Sequence, residues 1–166
     1  MTGKVWFVGA GPGDPELLTV KGRRLLEEAG AILYAGSLVD RAATLFAPPG
    51  CEIRDSKDMT LEEMSAWLLD QTARHATVVR LQTGDPGLYG ALVEMTRPLT
   101  AAGIGWQVVP GVSSAFASAA AAGTRQCWPS AYKSEPCPPR VITSPATRAA
   151  SCATSSPVRC ISNSDS

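Results

Sequence analysis

Short apolar runs alternate with longer stretches of helical periodicity along the first three quarters of this chain. Val5-Trp6-Phe7-Val8, bounded by Gly3 and Gly9, reads as a buried strand over residues 4–9. Ala31-Ile32-Leu33-Tyr34, Thr77–Leu81 and Gly105–Val109 read the same way. Between them, Glu16–Ala29 predicts a helix with Leu17, Leu18, Leu25 and Leu26 on or near one face and Gly30 as its C-cap signal. A short helix is expected over Val39–Phe46, ended by Pro48-Pro49-Gly50. Thr60 followed by Glu63 is a capping box. It opens a helix reaching about His75, whose apolar face includes Leu61, Met64, Trp67 and Leu68. Leu88–Ala102 predicts a helix kinked or restarted at Pro98, and Ser113–Ala122 an alanine-rich helix capped by Ser113 or Ser114. The alternation predicts an α/β fold, a mostly parallel sheet with helices on both faces. Right-handed crossovers place the loops that follow its strands on one edge, where open α/β sheets bind ligands.

The pattern stops near Gly123. Residues 1–123 carry a net charge of −3 and residues 124–166 a net of +3, within a chain of 166 residues whose formal charge is zero. Four of the five cysteines and six of the thirteen prolines fall in the second stretch. Residues 1–123 therefore read as one α/β domain and 124–166 as a Ser/Pro/Cys-rich tail, disordered apart from the strand-like Arg140-Val141-Ile142-Thr143. Out-of-frame translation of a GC-rich gene would also yield that composition. Balanced charge without a basic stripe argues against a nucleic-acid partner. The apolar runs fall well short of the ~20 residues needed to span a bilayer. The chain enters a strand without a charged n-region, so a cytoplasmic location is expected. The tail cysteines lack Cys-x-x-Cys spacing, and no metal site is expected.

Three glycine loops carry the chemistry. Gly9-Ala10-Gly11-Pro12-Gly13-Asp14-Pro15 follows the first strand, Thr83-Gly84-Asp85-Pro86-Gly87 the third, and Pro110-Gly111-Val112-Ser113-Ser114 the fourth. The first begins like a dinucleotide fingerprint but has Asp14 in place of the third glycine. Pro12 removes an amide that would face phosphate, and Asp14 would repel it. No Gly-Lys-Ser/Thr follows to make a P-loop. Loops with carboxylates and hydroxyls but no phosphate cradle suit an adenosyl compound without phosphate, such as S-adenosylmethionine. Asp85 would accept from its ribose or ammonium, whereas Asp14 reads equally as a turn residue at a helix start. His75, the one histidine, reads as a helix cap, and Met64 and Trp67 as core. Arg23-Arg24 reads as a solvated helix face, with Arg41, Arg54 and Lys57 left open for an acidic substrate.

The first loop with Leu17-Leu18-Thr19-Val20-Lys21-Gly22 resembles the opening signature of the tetrapyrrole (corrin/porphyrin) methylases. Thr83–Pro86 with Leu88-Tyr89-Gly90, and Val109–Ser114, resemble the second and third motifs of that family. Tyr34-Ala35-Gly36-Ser37-Leu38-Val39, Asp55-Ser56 and Met59–Glu63 resemble the branch that methylates precorrin-4 at C11 in cobalamin synthesis. The resemblance runs from residue 3 to about 122 and implies the first of the family's two α/β domains, with a non-homologous tail. It implies S-adenosylmethionine as cofactor, contacted by Pro12, Thr83, Gly84, Asp85, Leu88, Ser113 and Ser114. It also implies a small-molecule tetrapyrrole substrate (precorrin-4 or cobalt-precorrin-4), methyl transfer by direct displacement, and a homodimer. Some relatives place an acid/base Asp after the tyrosine of the second strand; here Ala35 stands there, so no general base carries over and the catalytic residues stay unassigned. Weak or absent turnover is expected of this chain alone. A non-catalytic remnant and a sister methylase acting at another carbon are the alternative readings.

Overall fold

A computed structural model describes residues 3–39, 41–88 and 91–123. Five strands, β1 (Lys4–Gly9), β2 (Ala31–Tyr34), β3 (Glu52–Asp55), β4 (Thr77–Gln82) and β5 (Trp106–Val109), form one sheet in the order β3-β2-β4-β1-β5. All four pairings are parallel, with Val5 opposite both Val78 and Trp106, and Ile32 opposite both Val79 and Ile53. Helices α1 (Val20–Glu27), α2 (Leu61–Arg74), α3 (Leu92–Ala101) and α4 (Ser114–Ala121) follow β1, β3, β4 and β5.

Successive strand residues face opposite sides, and this alternation separates two cores. Val8, Ile32, Val79 and Leu81 pack with Leu25, Leu26 and Ala29 on the α1 side. Val5, Phe7, Leu33 and Val78 pack with Leu68, Met95 and Leu99 on the α2–α3 side. The expected sheet with helices on both faces is therefore present. Met64 and Trp67 are half-buried against the second core, as anticipated. Leu61 is 36% exposed and stays off that face.

Several boundaries differ from expectation for identifiable reasons. Asp14 caps a single 3-10 turn over Pro15–Leu17, and Thr19 then caps α1 by accepting from Gly22 N at 3.1 Å. A second cap signal thus moves the helix start from Glu16 to Val20, leaving Leu17 39% exposed. The expected helix over 39–46 is only a 3-10 turn, Arg41–Thr44. α3 begins at Leu92, because Asp85–Leu88 is occupied by a turn, and runs through Pro98 without restarting. β3 was missed because all four of its residues are exposed at the sheet edge, so neither an apolar run nor an alternation marks it. The capping box at Thr60 and Glu63 is formed with both bonds, at 3.2 and 2.7 Å. The tail features, including residues 140–143 and its four cysteines, lie outside the described residues.

Candidate functional site

Gly9, Gly84 and Gly111 end or follow three adjacent strands, and their main chains touch. A Cβ on Gly9 would stand 2.5 Å from the Gly84 carbonyl oxygen and 2.6 Å from Gly111 Cα. One on Gly111 would overlap the Gly84 carbonyl and lie 2.8 Å from Gly9 Cα. Real side chains do not tolerate such contacts with backbone. Gly84 N donates to the Gly11 carbonyl at 2.9 Å, Gly11 N to the Gly84 carbonyl at 3.3 Å, and Ala10 N to the Gln82 carbonyl at 2.7 Å. Gly11 and Gly84 hold φ of +72° and +58°, a left-handed region that disfavours other residues. The loops at the carboxyl edge are thus knotted by backbone contact.

Asp85 locks the knot. Its Oδ1 accepts from Gly87 N at 2.7 Å and its Oδ2 from Gly111 N at 3.2 Å, joining the second loop to the third. Charge-assisted bonds of this kind are the strong ones. A carboxylate offers about four acceptor sites, so capacity for ligand donors remains. Asp14, by contrast, accepts from Glu16 N at 2.9 Å as a turn cap.

The remaining sequence-predicted residues occupy distinct places. Thr83 is half-buried and Gly84 buried. Ser113, half-buried, is the N-cap residue of α4, yet its side chain makes no capping bond. Ser114 opens the helix, and its Oγ lies 3.3 Å from where a Gly84 Cβ would stand. Gly84, Asp85, Ser113 and Ser114 are therefore brought together with the first loop. Pro12 stands half-buried between Gly11 and Gly13 (φ +119°). Leu88, 60% exposed, leaves the knot on a turn in which its N–H donates to the Asp85 carbonyl at 3.1 Å.

A second constellation was not assigned from the sequence. At the ends of β2 and β3, Asp55 Oδ1 accepts from Gly36 N at 3.0 Å and Lys57 N at 2.9 Å. A Cβ on Gly36 would fall on the Asp55 carboxylate. Ser56 donates to the Tyr34 carbonyl through both its N–H (2.9 Å) and its hydroxyl (3.1 Å). Arg80 reaches this corner from β4: its Nη1 donates to Ser56 Oγ at 2.9 Å and to the Leu33 carbonyl at 3.4 Å. Burial pushes the Arg80 guanidinium down to about 10, partly opposed by the Asp55 charge. The available signal was a charged residue inside the apolar run Val78-Val79-Arg80-Leu81. Ala35 donates its N–H to the Leu81 carbonyl at 3.2 Å and packs, half-buried, against the first core.

Other candidates have structural roles. His75 is the C-cap of α2, with its N–H donating to the Gln71 carbonyl at 2.9 Å. Arg23 pairs with Glu27 at 2.8 Å on an exposed helix face. Arg41, Arg54 and Lys57 are exposed. The half-buried Cys51 thiol is pushed up by burial and by Glu52, away from a reactive thiolate. No group of three or more His, Cys, Asp or Glu side chains suited to a metal occurs among the described residues. No helix among them is long and apolar enough to cross a membrane.

Residues 4–150 match the family model of the Tetrapyrrole (Corrin/Porphyrin) Methylases, a match that runs past the composition change at 123. The chain is 47% identical over 119 residues to a cobalt-precorrin-4 C(11)-methyltransferase of Priestia megaterium, covering 72% of this chain and 46% of that protein. It is 48% identical over 122 residues to a precorrin-4 C(11)-methyltransferase of Mycobacterium tuberculosis, covering 74% and 48%. Among solved structures, a cobalt precorrin-4 methyltransferase of cobalamin biosynthesis superposes with a TM-score of 0.71 at 45% identity, covering 76% of this chain and 53% of that one. A uroporphyrin-III C-methyl transferase from Thermus thermophilus, complexed with S-adenyl homocysteine, gives 0.61 at 43% identity, covering 70% and 48%. The chain spans about half the length of the curated relatives it matches. The parallel sheet, the glycine knot at its carboxyl edge and these likenesses agree: the chain belongs to the tetrapyrrole (corrin/porphyrin) methylases.

Proposed function

We propose that the knot binds S-adenosylmethionine, and that the chain is the cofactor-binding part of a C-methyltransferase acting on precorrin-4 or cobalt-precorrin-4 at C11. The observation that carries this is the joining of three loops, the first to the second by the Gly11–Gly84 backbone bonds and the second to the third by Asp85, in a chain 47–48% identical to precorrin-4 C(11)-methyltransferases. The donor set fits an adenosyl compound. Pro12 and the Asp14 cap leave the first loop without a phosphate cradle, while Ser113 keeps an uncapped hydroxyl and Asp85 free acceptor capacity. Pro12, Thr83, Gly84, Asp85, Leu88, Ser113 and Ser114 are the contacts in this reading.

Bound S-adenosylmethionine supplies a methyl group already activated by its sulfonium charge. The protein then contributes chiefly orientation, holding donor and acceptor so that displacement occurs in line. Close backbone packing at Gly9, Gly84 and Gly111 fixes the loops that perform this alignment. A glycine-lined edge also lets a ligand lie against main chain without displacing side chains. Location in the cytoplasm and pairing into a homodimer belong to the same proposal.

Calorimetric titration with S-adenosylhomocysteine tests it. Micromolar binding by the chain, abolished in Asp85→Ala, is the expected result. No heat of binding from a chain with a folded far-UV spectrum would refute the cofactor assignment.

A further inference from the structure

Arg80 lies on β4, the central strand, opposite Phe7 of β1 and Leu33 of β2, and is 5% exposed. Its Nε is buried without a partner, and no ion pair holds the guanidinium among the described residues. A buried cation without a direct ion pair, its burial only partly offset by the Asp55 charge, opposes folding, and an apolar side chain of similar volume at such a place is often neutral or better. The neighbours Phe7 and Leu33 would suit one. Stability therefore does not account for an arginine here, and its contacts point to geometry.

Those contacts converge on the corner where β2 and β3 end. The Ser56 hydroxyl accepts from Arg80, which directs its own proton to the Tyr34 carbonyl, the same oxygen that takes Ser56 N–H. Arg80 also takes the Leu33 carbonyl, next along the strand. One guanidinium so ties β4 to the ends of both β2 and β3, just before Tyr34–Gly36 and Asp55–Lys57 turn across the sheet edge. On the other side of β4, the loops after β4, β1 and β5 form the glycine knot. The carboxyl edge thus has two halves, with Arg80 beneath their junction, and Thr83 only three residues beyond it.

We propose that Arg80 is a positioning residue: acting through Ser56 and the Leu33 carbonyl, it sets the β2–β3 corner as the wall against which a carboxylated macrocyclic acceptor lies beside the cofactor. This rests on the knot being the cofactor site. The buried cation below that wall, held in no direct ion pair among the described residues, favours an anionic acceptor over a neutral one.

The test compares the 166-residue chain with Arg80→Met, Arg80→Lys and Ser56→Ala, using S-adenosylhomocysteine and the octacarboxylate uroporphyrin III as probes. Arg80→Met should melt at or above the parent temperature and keep S-adenosylhomocysteine affinity within about twofold, because the Arg80 side chain hydrogen-bonds Ser56 and Leu33 rather than the knot. Its porphyrin affinity should fall about tenfold, the scale of a hydrogen bond to a charged group. The amide resonances of Gly36 and Lys57 should move in parallel. Arg80→Lys should fall between the two, and Ser56→Ala should reproduce the porphyrin loss. Porphyrin binding at parental affinity in Arg80→Met, with Gly36 and Lys57 unmoved, overturns the proposal. So does a joint fall of melting temperature and both affinities that Arg80→Lys does not relieve. Should Arg80→Met fail to fold, unchanged porphyrin binding and amides in Ser56→Ala overturn it. A parent chain that binds S-adenosylhomocysteine but no porphyrin also overturns it while sparing the cofactor assignment; one that binds neither removes both.

Discussion

Gly111→Ala adds one methyl group at the point where three strands' loops meet. Its Cβ would overlap the Gly84 carbonyl and stand 2.8 Å from Gly9 Cα. Carbon atoms rest at about 3.5–4.0 Å, so the β1 and β5 ends would have to part by roughly 1 Å. Neither neighbour is a side chain able to swing aside. Gly111 does not hold a positive φ, so the effect is steric rather than conformational. The same movement lengthens the 3.2 Å bond from Gly111 N to Asp85 Oδ2 beyond useful range. Overpacking costs about 1–3 kcal/mol, and a lost bond to a charged group about 1.5–3 kcal/mol. The total of about 2.5–6 kcal/mol is a large part of the ~5–15 kcal/mol that holds a domain folded. At roughly 4 °C per kcal/mol the melting temperature should fall by about 10–24 °C, with S-adenosylhomocysteine binding lost. Calorimetric melting and titration read both, and Gly105→Ala is the control. A Cβ there meets nothing nearer than Lys4 Cγ at 3.9 Å, and its shift should stay within a few degrees. A Gly111→Ala chain that melts within about 2 °C of the parent and binds ligand normally would refute the knot as described.

Ser113→Ala removes a hydroxyl that caps nothing, so it should leave the melting point nearly unchanged yet weaken S-adenosylhomocysteine about three- to tenfold, the worth of one neutral hydrogen bond. Unchanged affinity would take Ser113 out of the site. Thr60→Ala breaks the capping box of α2 and should lower stability by about 1 kcal/mol in urea unfolding without altering ligand affinity. A change in affinity would mean α2 communicates with the knot. Arg80, held down to about 10 by burial, has a folded value below its unfolded one. Between the two values the unfolded chain keeps a proton that the folded chain has lost, so this group's penalty is complete below about pH 10 and relieved above it. Urea unfolding at pH 7, 9 and 10.5 should show a constant difference between Arg80→Met and the parent up to pH 9. That difference, bounded at about 3 kcal/mol by the shift, should move toward the parent at pH 10.5. A difference that moves the other way would contradict a guanidinium penalised by burial.

What the sequence made legible follows burial. β1, β2 and β4 announced themselves because they include buried apolar runs, and the edge strand β5 because its Trp-Gln-Val-Val is mostly apolar although only Val109 is buried, whereas β3 is an exposed edge strand whose Glu-Ile-Arg-Asp looks like any loop. The three glycine loops were legible as a ligand edge because glycine and proline leave few alternatives after a strand. Their mutual contact was not, since sequence order does not say that Gly9, Gly84 and Gly111 meet. Asp14 and Asp85 both precede proline, and the helix start after Asp14 left its turn and ligand readings evenly matched. The fold resolves the first as a cap closing on Glu16 and shows the second as a carboxylate spanning two loops. The Arg80–Ser56–Tyr34 corner was hidden for the same reason, being assembled from residues 24 and 22 positions apart.

The most direct test of the central claim is a nitrogen-proton correlation spectrum of the chain during titration with S-adenosylhomocysteine, with ATP in a parallel titration. The account predicts saturable shifts at Gly11, Gly84, Gly111, Ser113 and Ser114, none at Gly30, Glu52 or His75 on the opposite edge, and no response to ATP. Shifts centred on that opposite edge, or an equal response to ATP, would contradict it.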